Sequence, residues 1–363
     1  MKSNNIYRIF VSVLLVTVLF TLFITGCGTS NTSTPSGPQN TPDAESSATA
    51  EQPSESPAPE TSTPAYEPID INIGGMTGPT SMGMVKIMED AEAGTAKNNY
   101  NFTIVGSADE ITPKLIKGEL DIAAVPANLA SVLYNNTEKK VKLLAVNTLG
   151  VLYIVEKGNE IENFTDLKGK TIYATGKGST PEYNLRYLLS EHGIDPDKDV
   201  DIQWKSEPNE VVALFKNSQS GIAMLPQPYV TIAQTQVEGL RIAVNLTEVW
   251  EKLDNGSALI TGVVVVRSDF AKEHPQQIAA FLEEYRESIG FVNSNVDEAA
   301  QLIEKFNIFK AAVAQKALPY CNIAFMEGEE MKDKVGGYLN VLFQQNPKSV
   351  GGKLPDDEFY YIK

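Results

Sequence analysis

The 363-residue sequence is poor in three residue types that carry much of protein chemistry: it has two cysteines, two histidines and two tryptophans. With Cys27 and Cys321 as the only thiols, a scaffold stapled by several disulfides is excluded. Cys321, within Leu318-Pro-Tyr-Cys-Asn-Ile-Ala-Phe325, reads as a small core residue. His192 stands at a helix end before Gly193, and His274 precedes Pro275 at another boundary. Neither has a local serine and carboxylate to form a hydrolase triad, and two histidines do not make a histidine-rich zinc site. No enzyme activity, cofactor or metal is therefore expected. Positive charge is also scarce, with 30 Lys and Arg against 46 Asp and Glu and a net charge of −16. That balance argues against nucleic acid as a partner, and the lack of an arginine cluster argues against phosphate-rich ligands. No candidate binding loop is rich in carboxylates either, which disfavours polyamines and other strongly cationic solutes.

What is present begins with an address. Lys2 and Arg8 precede an apolar run from Ile9 to Ile24. The run is shorter than the about 20 residues of a spanning helix and has the form of a secretory signal. It ends in Ile24-Thr-Gly-Cys27, which resembles the lipobox of bacterial lipoproteins. That resemblance implies removal of residues 1–26 and a diacylglycerol on Cys27, holding the protein on the outer side of the cell membrane. Each buried acyl methylene contributes about 0.8 kcal/mol. An ordinary signal with an incidental cysteine is the alternative. Cleavage takes away Lys2 and Arg8 and no acid, bringing the charge to −18.

Residues 27–67 are dominated by Ser, Thr, Pro, Ala and Glu, and Tyr66 is the one aromatic. Such a stretch buries too little apolar surface to offset the entropy of ordering, so it reads as a disordered tether. Strand and helix signals alternate from residue 68 onward. Ile69–Gly74, Asn101–Val105, Leu120–Val125 and Val141–Val146 read as strands. Helices are expected over Pro79–Ala93, Ala108–Lys117 and from Ala127. The nearly all-apolar strand at 120–125 suits a parallel sheet covered on both faces. This order recurs one hundred residues later. Lys170–Ala174 falls on Asp70–Gly74, Gly178 and Thr180 fall on Gly78 and Thr80, and Pro226 falls on Pro126.

The predicted fold is α/β, with two similar lobes built on open, mainly parallel sheets. Thr148–Val155 and Ala258–Val266 read as long apolar strands joining the lobes, a two-strand hinge. Helices at Pro275–Asn293, Val296–Lys305, Lys310–Ala317 and Glu327–Gln345 would clad the first lobe at the C-terminal end. Lobe I is then 68–150 plus 264–363, and lobe II 151–263.

Gly118-Glu-Leu-Asp-Ile-Ala-Ala-Val-Pro126, Phe164-Thr-Asp-Leu-Lys-Gly-Lys170 and Gly262-Val-Val-Val-Val-Arg-Ser268 resemble segments of bacterial solute-binding lipoproteins that serve importers. The branch is that of the nitrate, sulfonate, taurine and thiamine-precursor binders, with a type II periplasmic-binding-protein fold. The resemblance implies a monomer that captures one small solute in a closing cleft and presents it to a membrane permease of the ABC type. A ligand-sensing lipoprotein that signals without transport is the alternative.

Cleft walls belong at the carboxyl ends of strands, where loops feed helix starts. The candidate residues there are Gly78, Thr80 and Ser81 after the first strand, and Gly178, Ser179 and Thr180 in the matching loop. In both loops the hydroxyls either contact ligand or cap their helices. Gly176-Lys-Gly-Ser-Thr180 lacks the spacing of a nucleotide phosphate loop. Asn128 and Gln227 offer donors and acceptors at the matched strand ends, and Tyr229 either stacks on a planar ligand or packs its helix. Thr148, Tyr153 and Thr261 on the hinge are further candidates, as are Trp204 and Trp250, stacking platforms or core. Met76, Met82, Met84 and Met88 form a core or an adaptable apolar wall rather than a copper(I) site. The ligand expected is a small neutral or singly charged organic solute, either a planar heterocycle or an organic anion such as a sulfonate.

Overall fold

The computed structural model describes residues Tyr66 to Ile362. The signal sequence, Cys27 and the tether as far as Ala65 lie outside the described residues.

The chain opens with β1 (Asp70–Met76), in which Ile71 and Ile73 point into the core and Asn72 alternates with them. The single helix expected over Pro79–Ala93 is two, α1 (Pro79–Met82) and α2 (Val85–Glu92). A serine from a distant helix causes the break. The Ser288 hydroxyl donates to the Gly83 carbonyl at 2.7 Å and accepts the Ile87 N–H at 3.2 Å, taking the place of one helical hydrogen bond.

Next come β2 (Asn99–Val105), α3 (Ala108–Lys117), β3 (Ile122–Pro126), α4 (Ala127–Asn136) and β4 (Val141–Leu149). The chain then enters β5 (Leu152–Lys157), β6 (Thr171–Thr175), α5 (Thr180–Glu191), β7 (Asp201–Lys205) and α6 (Pro208–Asn217). It continues through β8 (Gly221–Pro226), α7 (Tyr229–Gln236), β9 (Leu240–Asn245) and α8 (Leu246–Glu251). The last third comprises β10 (Ile260–Arg267), α9 (Ser268–Glu273), α10 (Pro275–Ser294), α11 (Val296–Lys305), α12 (Ala311–Ala317), β11 (Ile323–Met326) and α13 (Gly328–Gln345).

These strands form two sheets, ordered β11-β4-β10-β3-β1-β2 and β7-β6-β8-β5-β9. In the first, β1 pairs in parallel with β2 and β3, while β10 lies antiparallel between β3 and β4 and β11 is antiparallel to β4. In the second, β6 pairs in parallel with β7 and β8, and β5 lies antiparallel between β8 and β9. The two orders correspond strand for strand from β2 to β4 and from β7 to β9. In each, the inserted antiparallel strand is the one nearest in sequence to the other sheet: β5 directly follows β4, and β10 follows α8. Four strands of each sheet therefore share one direction, as an α/β fold of two similar mainly parallel sheets requires.

The apolar stretch Thr148–Val155 is not one strand. It breaks at Gly150-Val151, where the chain passes from the first sheet to the second.

Successive valines of β10 serve opposite cores, Val263 and Val265 on one face and Val264 and Val266 on the other. The second face is covered by α2, α10, α11 and α12. The first face merges with the near face of the second sheet, through Ile154, Ile172 and Met224, into one continuous core filled by Trp250 and by Tyr338, Leu339 and Leu342 of α13. Tyr153, Val155, Ala223 and Leu225 face α6 and α7 on the far side. So α13 packs at the joint between the sheets rather than cladding the first sheet alone. The methionines expected as core are core, with Met82, Met84 and Met88 buried. Trp250 is core too, fully buried and donating to Ser257 Oγ at 2.9 Å.

Close packing of β10 gives a paired test. A Cβ at Gly262 would stand 2.5 Å from Thr80 Cγ2 and 2.6 Å from Asn147 Oδ1, whereas one at Gly290 in α10 meets nothing within 4 Å. Gly262→Ala should lower stability by about 1–3 kcal/mol. Gly290→Ala should raise it by about 0.5–1 kcal/mol. Urea denaturation of the two variants reads both signs.

The C-terminal segment is held by charge. Lys139, and behind it the Tyr134 hydroxyl, holds the Asp356 carboxyl down at about 2. Tyr361 N–H then donates to the Leu143 carbonyl at 2.9 Å beside β4. A depressed carboxylate stabilises above its ordinary value of about 3.9 and loses that contribution as pH falls through its folded value. Amide protection of residues 356–361 should accordingly be constant above pH about 4 and decline toward pH about 2.

Candidate functional site

A cavity of about 260 Å³ opens where the carboxyl ends of parallel strands from both sheets face each other. From the first sheet come the loop after β1, with Met76, Thr77, Gly78, Pro79 and Thr80, and the end of β3 at Pro126. From the second come Thr180, Pro181 and Asn184 at the start of α5, and Pro226 and Gln227 at the end of β8. The floor is the joint itself, with Val151 and Leu152 entering β5 and Ile260 and Thr261 entering β10. Tyr338 of α13 completes the wall.

The polar groups are few and mostly fixed. Tyr338 Oη donates to Asn184 Oδ1 at 3.2 Å, and burial pushes its phenol upward so that it stays protonated. Asn147 Nδ2 holds the Thr80 carbonyl at 2.9 Å, tying the β1 loop to β4. Thr180 Oγ1 lies 3.5 Å from Asn128 Oδ1 of α4, linking helices that belong to the two sheets.

Gln227 is different. Its Oε1 accepts both the Thr231 N–H, at 3.3 Å, and the Thr231 hydroxyl, at 2.9 Å. A backbone N–H can only donate, so the carboxamide oxygen is fixed toward α7. The Nε2 donor is then left without a partner although the residue is 2 % exposed. An unsatisfied buried donor of this kind costs about 1–3 kcal/mol, and an acceptor oxygen brought by a solute removes that cost.

Of the residues singled out from the sequence, Gly78, Thr80, Thr180, Gln227 and Thr261 line the cavity. Ser81, Asn128, Thr148, Gly178, Ser179 and Tyr229 are not among its lining residues. Ser81 is fully buried behind the β1 loop, and its hydroxyl has no partner. Asn128 Nδ2 donates to the Ser349 carbonyl at 3.1 Å, and Thr148 Oγ1 to Asn147 Oδ1 at 3.1 Å. Ser179 is exposed and donates to the Gly176 carbonyl at 2.7 Å rather than capping α5 with its hydroxyl, and Gly178 N–H is taken by Glu182. Tyr229 meets Phe309 edge-on at 6.4 Å. Tyr153 turns its hydroxyl to the Tyr320 carbonyl at 2.7 Å, and Trp204 is a partly buried residue of β7. Asn184 and Tyr338 are lining residues that sequence reasoning missed. His192 caps α5 through Nδ1 and the Leu188 carbonyl, at 2.8 Å, and His274 rests against Phe270; neither lines the cavity.

A larger recess of about 380 Å³ beside β9 and α8 contains Glu162, His192, Asn245, Glu248 and Lys252. None of its lining side chains is both buried and unpartnered, so it lacks the feature that marks the cleft.

The junction below the cleft is a knot of hydrogen bonds on one carbonyl. Gly150 O accepts Asn322 Nδ2 at 2.5 Å and Thr247 Oγ1 at 3.0 Å, and Leu149 N–H donates to the Asn322 carbonyl at 3.0 Å. Asn322 holds φ at 46°, a left-handed conformation that favours glycine or asparagine. Asn322→Ala should cost about 2–3 kcal/mol, from lost hydrogen bonds plus the left-handed backbone. Asn322→Gly should cost less, because only the side-chain bonds are lost. Urea midpoints order the two.

Comparison with known proteins agrees with this fold. The model of the NMT1-like family matches residues 92–305, more than half of the chain. A putative aliphatic sulfonates-binding protein of Bacillus subtilis is 28% identical over 165 residues, 46% of each chain. A putative binding protein of Brucella abortus is 24% identical over 168 residues, 46% of this chain and 50% of that one. The chain thus spans about half the length of the curated relatives it matches. Among solved structures, an ABC transporter protein of Parabacteroides distasonis superposes with a TM-score of 0.69 at 27% identity, covering 81% of this chain and 99% of that one. The periplasmic aliphatic sulphonate-binding protein of Escherichia coli superposes with a TM-score of 0.62 at 18% identity, covering 81% and 92%. The likeness to importer solute-binding proteins expected from the sequence is found in both comparisons, and the two-sheet α/β fold is theirs. By the match across residues 92–305, this chain belongs to the NMT1-like family.

Proposed function

We propose that this protein is an extracytoplasmic solute receptor. It captures one small uncharged or singly charged organic molecule between its two sheets and delivers it to an ABC permease. The observation that carries this reading is a cavity formed by strand ends of both sheets and lined by Gln227, whose carboxamide Nε2 is buried without a protein partner. A donor in that position can be met by an oxygen that a solute brings. The lining has no Asp, Glu, His, Lys, Arg or Cys, so its threonine and tyrosine hydroxyls have no adjacent base to activate them, which supports capture without chemistry. The names of the relatives support the same class of function.

In this reading Gly78, Thr80, Thr180 and Gln227 contact the solute. Ser81, Asn128, Thr148 and the Gly178-Ser179 turn brace those contacts, and Tyr229 steadies α7. The lobes are 68–150 plus the chain from Ile260 onward and 151–259, hinged at Gly150-Val151 and before Ile260, so that all of β10 stays with the first sheet rather than dividing at 263/264. Cys27 carries the lipid that keeps the monomer at the membrane surface, where the permease is reached.

A thermal-shift screen tests the reading on protein unfolded and refolded to strip carried-over solute. The panel sets sulfonates, nitrate and carboxylates against pyrimidines, thiamine, flavins and purines. A solute at a thousand times its dissociation constant should add about 4 kcal/mol of stability. Uptake of the solute that shifts the protein should then depend on the gene in the source cell. Unchanged uptake after deletion removes the transport role.

A further inference from the structure

The cleft has no positively charged side chain to hold an anion: none of its lining residues is Lys, Arg or His. Both helix starts that face it carry a proline, Pro79 at the first position of α1 and Pro181 at the second position of α5. Proline has no N–H, so each removes one of the free donors by which a helix start binds an anion. At α5 the positive helix end is also already occupied. Glu182, 9 % exposed, accepts the Gly178 N–H at 2.6 Å and Arg186 Nε at 2.9 Å. A second negative charge brought there would meet a carboxylate of like sign. Pro126 and Pro226 close the cavity from the two strand ends, adding apolar ring surface in place of donors.

The side-chain donors of the lining are all neutral: the hydroxyls of Thr77, Thr80, Thr180 and Thr261 and the amides of Asn184 and Gln227, of which Gln227 Nε2 is buried and without a partner. Neutral donors satisfy a carbonyl or sulfonyl oxygen. They leave the charge of a buried anion uncompensated. The size of the site agrees, because about 260 Å³ is below the about 300–1,000 Å³ of pockets for drug-sized ligands.

Taking the cleft as the solute site, we infer that it selects a small uncharged molecule, apolar over most of its surface, that seats one carbonyl-type oxygen on Gln227 among Pro79, Pro126, Pro181 and Pro226.

The test uses matched pairs that differ in charge and little in shape: propanesulfonamide against propanesulfonate, and isovaleramide against isovalerate. Binding to the full chain in detergent is measured by ligand-observed NMR up to millimolar concentration. The uncharged member of each pair should bind at least about tenfold more tightly. In Gln227→Glu, which keeps an acceptor for Thr231 and replaces the donor, that advantage should disappear. Pro181→Ala, which restores an N–H, should narrow the ratio without removing it. Tighter binding of the anions to the unaltered chain, dependent on Gln227, overturns the ligand class and leaves the receptor reading in place. A preference for the uncharged members that survives in folded Gln227→Glu overturns the role of Gln227. No binding by either series overturns both the inference and the assignment of the cleft. The comparison on the unaltered chain stands whether or not the variants fold.

Discussion

Gly150 is the point on which the arrangement of the two sheets depends. Its carbonyl lies between β4 and β5, and the two side chains that hold it come from after β9 and before β11. Thr247 leads α8 of the second sheet, and Asn322 leads β11 of the first, so the crossing chain is gripped from both sides. A side chain at Gly150 would stand 2.2 Å from Thr247 Oγ1 and 2.5 Å from Leu259 Cδ2, so the grip requires glycine. The cleft floor at Val151 and Leu152 is the next stretch of the same chain. Fixing Gly150 therefore fixes where the two walls meet at their base.

The upper loops meet through contacts of another kind. Along α5 and α13, Tyr338 reaches Asn184, Asn346 Nδ2 donates to the Tyr183 hydroxyl at 2.9 Å, and Gln345 Nε2 donates to the Tyr183 carbonyl at 3.0 Å. Each is a neutral hydrogen bond worth about 1 kcal/mol net. Hydrophobic burial by Tyr338, Leu339 and Leu342 accompanies them, continuous with the core of both sheets. A joint held by modest polar bonds over a shared apolar core tolerates small rotations, since the core is non-directional while the hydrogen bonds fix one preferred setting.

Much of this was legible in the sequence. The alternation of apolar strands with amphipathic helices and the hundred-residue recurrence lead to two matching sheets, because period and order are local properties. The break at Gly150 was hidden, since Thr148–Val155 is uniformly apolar and a strand that changes sheets is apolar on both sides of the change. The interruption of the first helix was hidden for a similar reason: Ser288 is two hundred residues away. β11 is only four residues long and carries no alternation that would mark it. Gln227 was visible as an amide at a matched strand end. Asn184 and Tyr338 were not, because α13 reads as cladding of one lobe until its packing against α5 is known.

The prolines show how a local feature acquires meaning from the fold. Each, taken alone, is an ordinary helix opener or strand end, chosen because its fixed φ and missing N–H cost nothing there. Four of them surround one cavity, and two, Pro79 and Pro181, remove backbone donors from helix starts that could otherwise hold a charge. The acidity of the chain works in the same direction, with Glu182 answering the α5 dipole from within. A cleft whose α5 end is met by its own glutamate carries no unpaired charge there to compensate, and in the selectivity proposed above the same feature disfavours a charged solute.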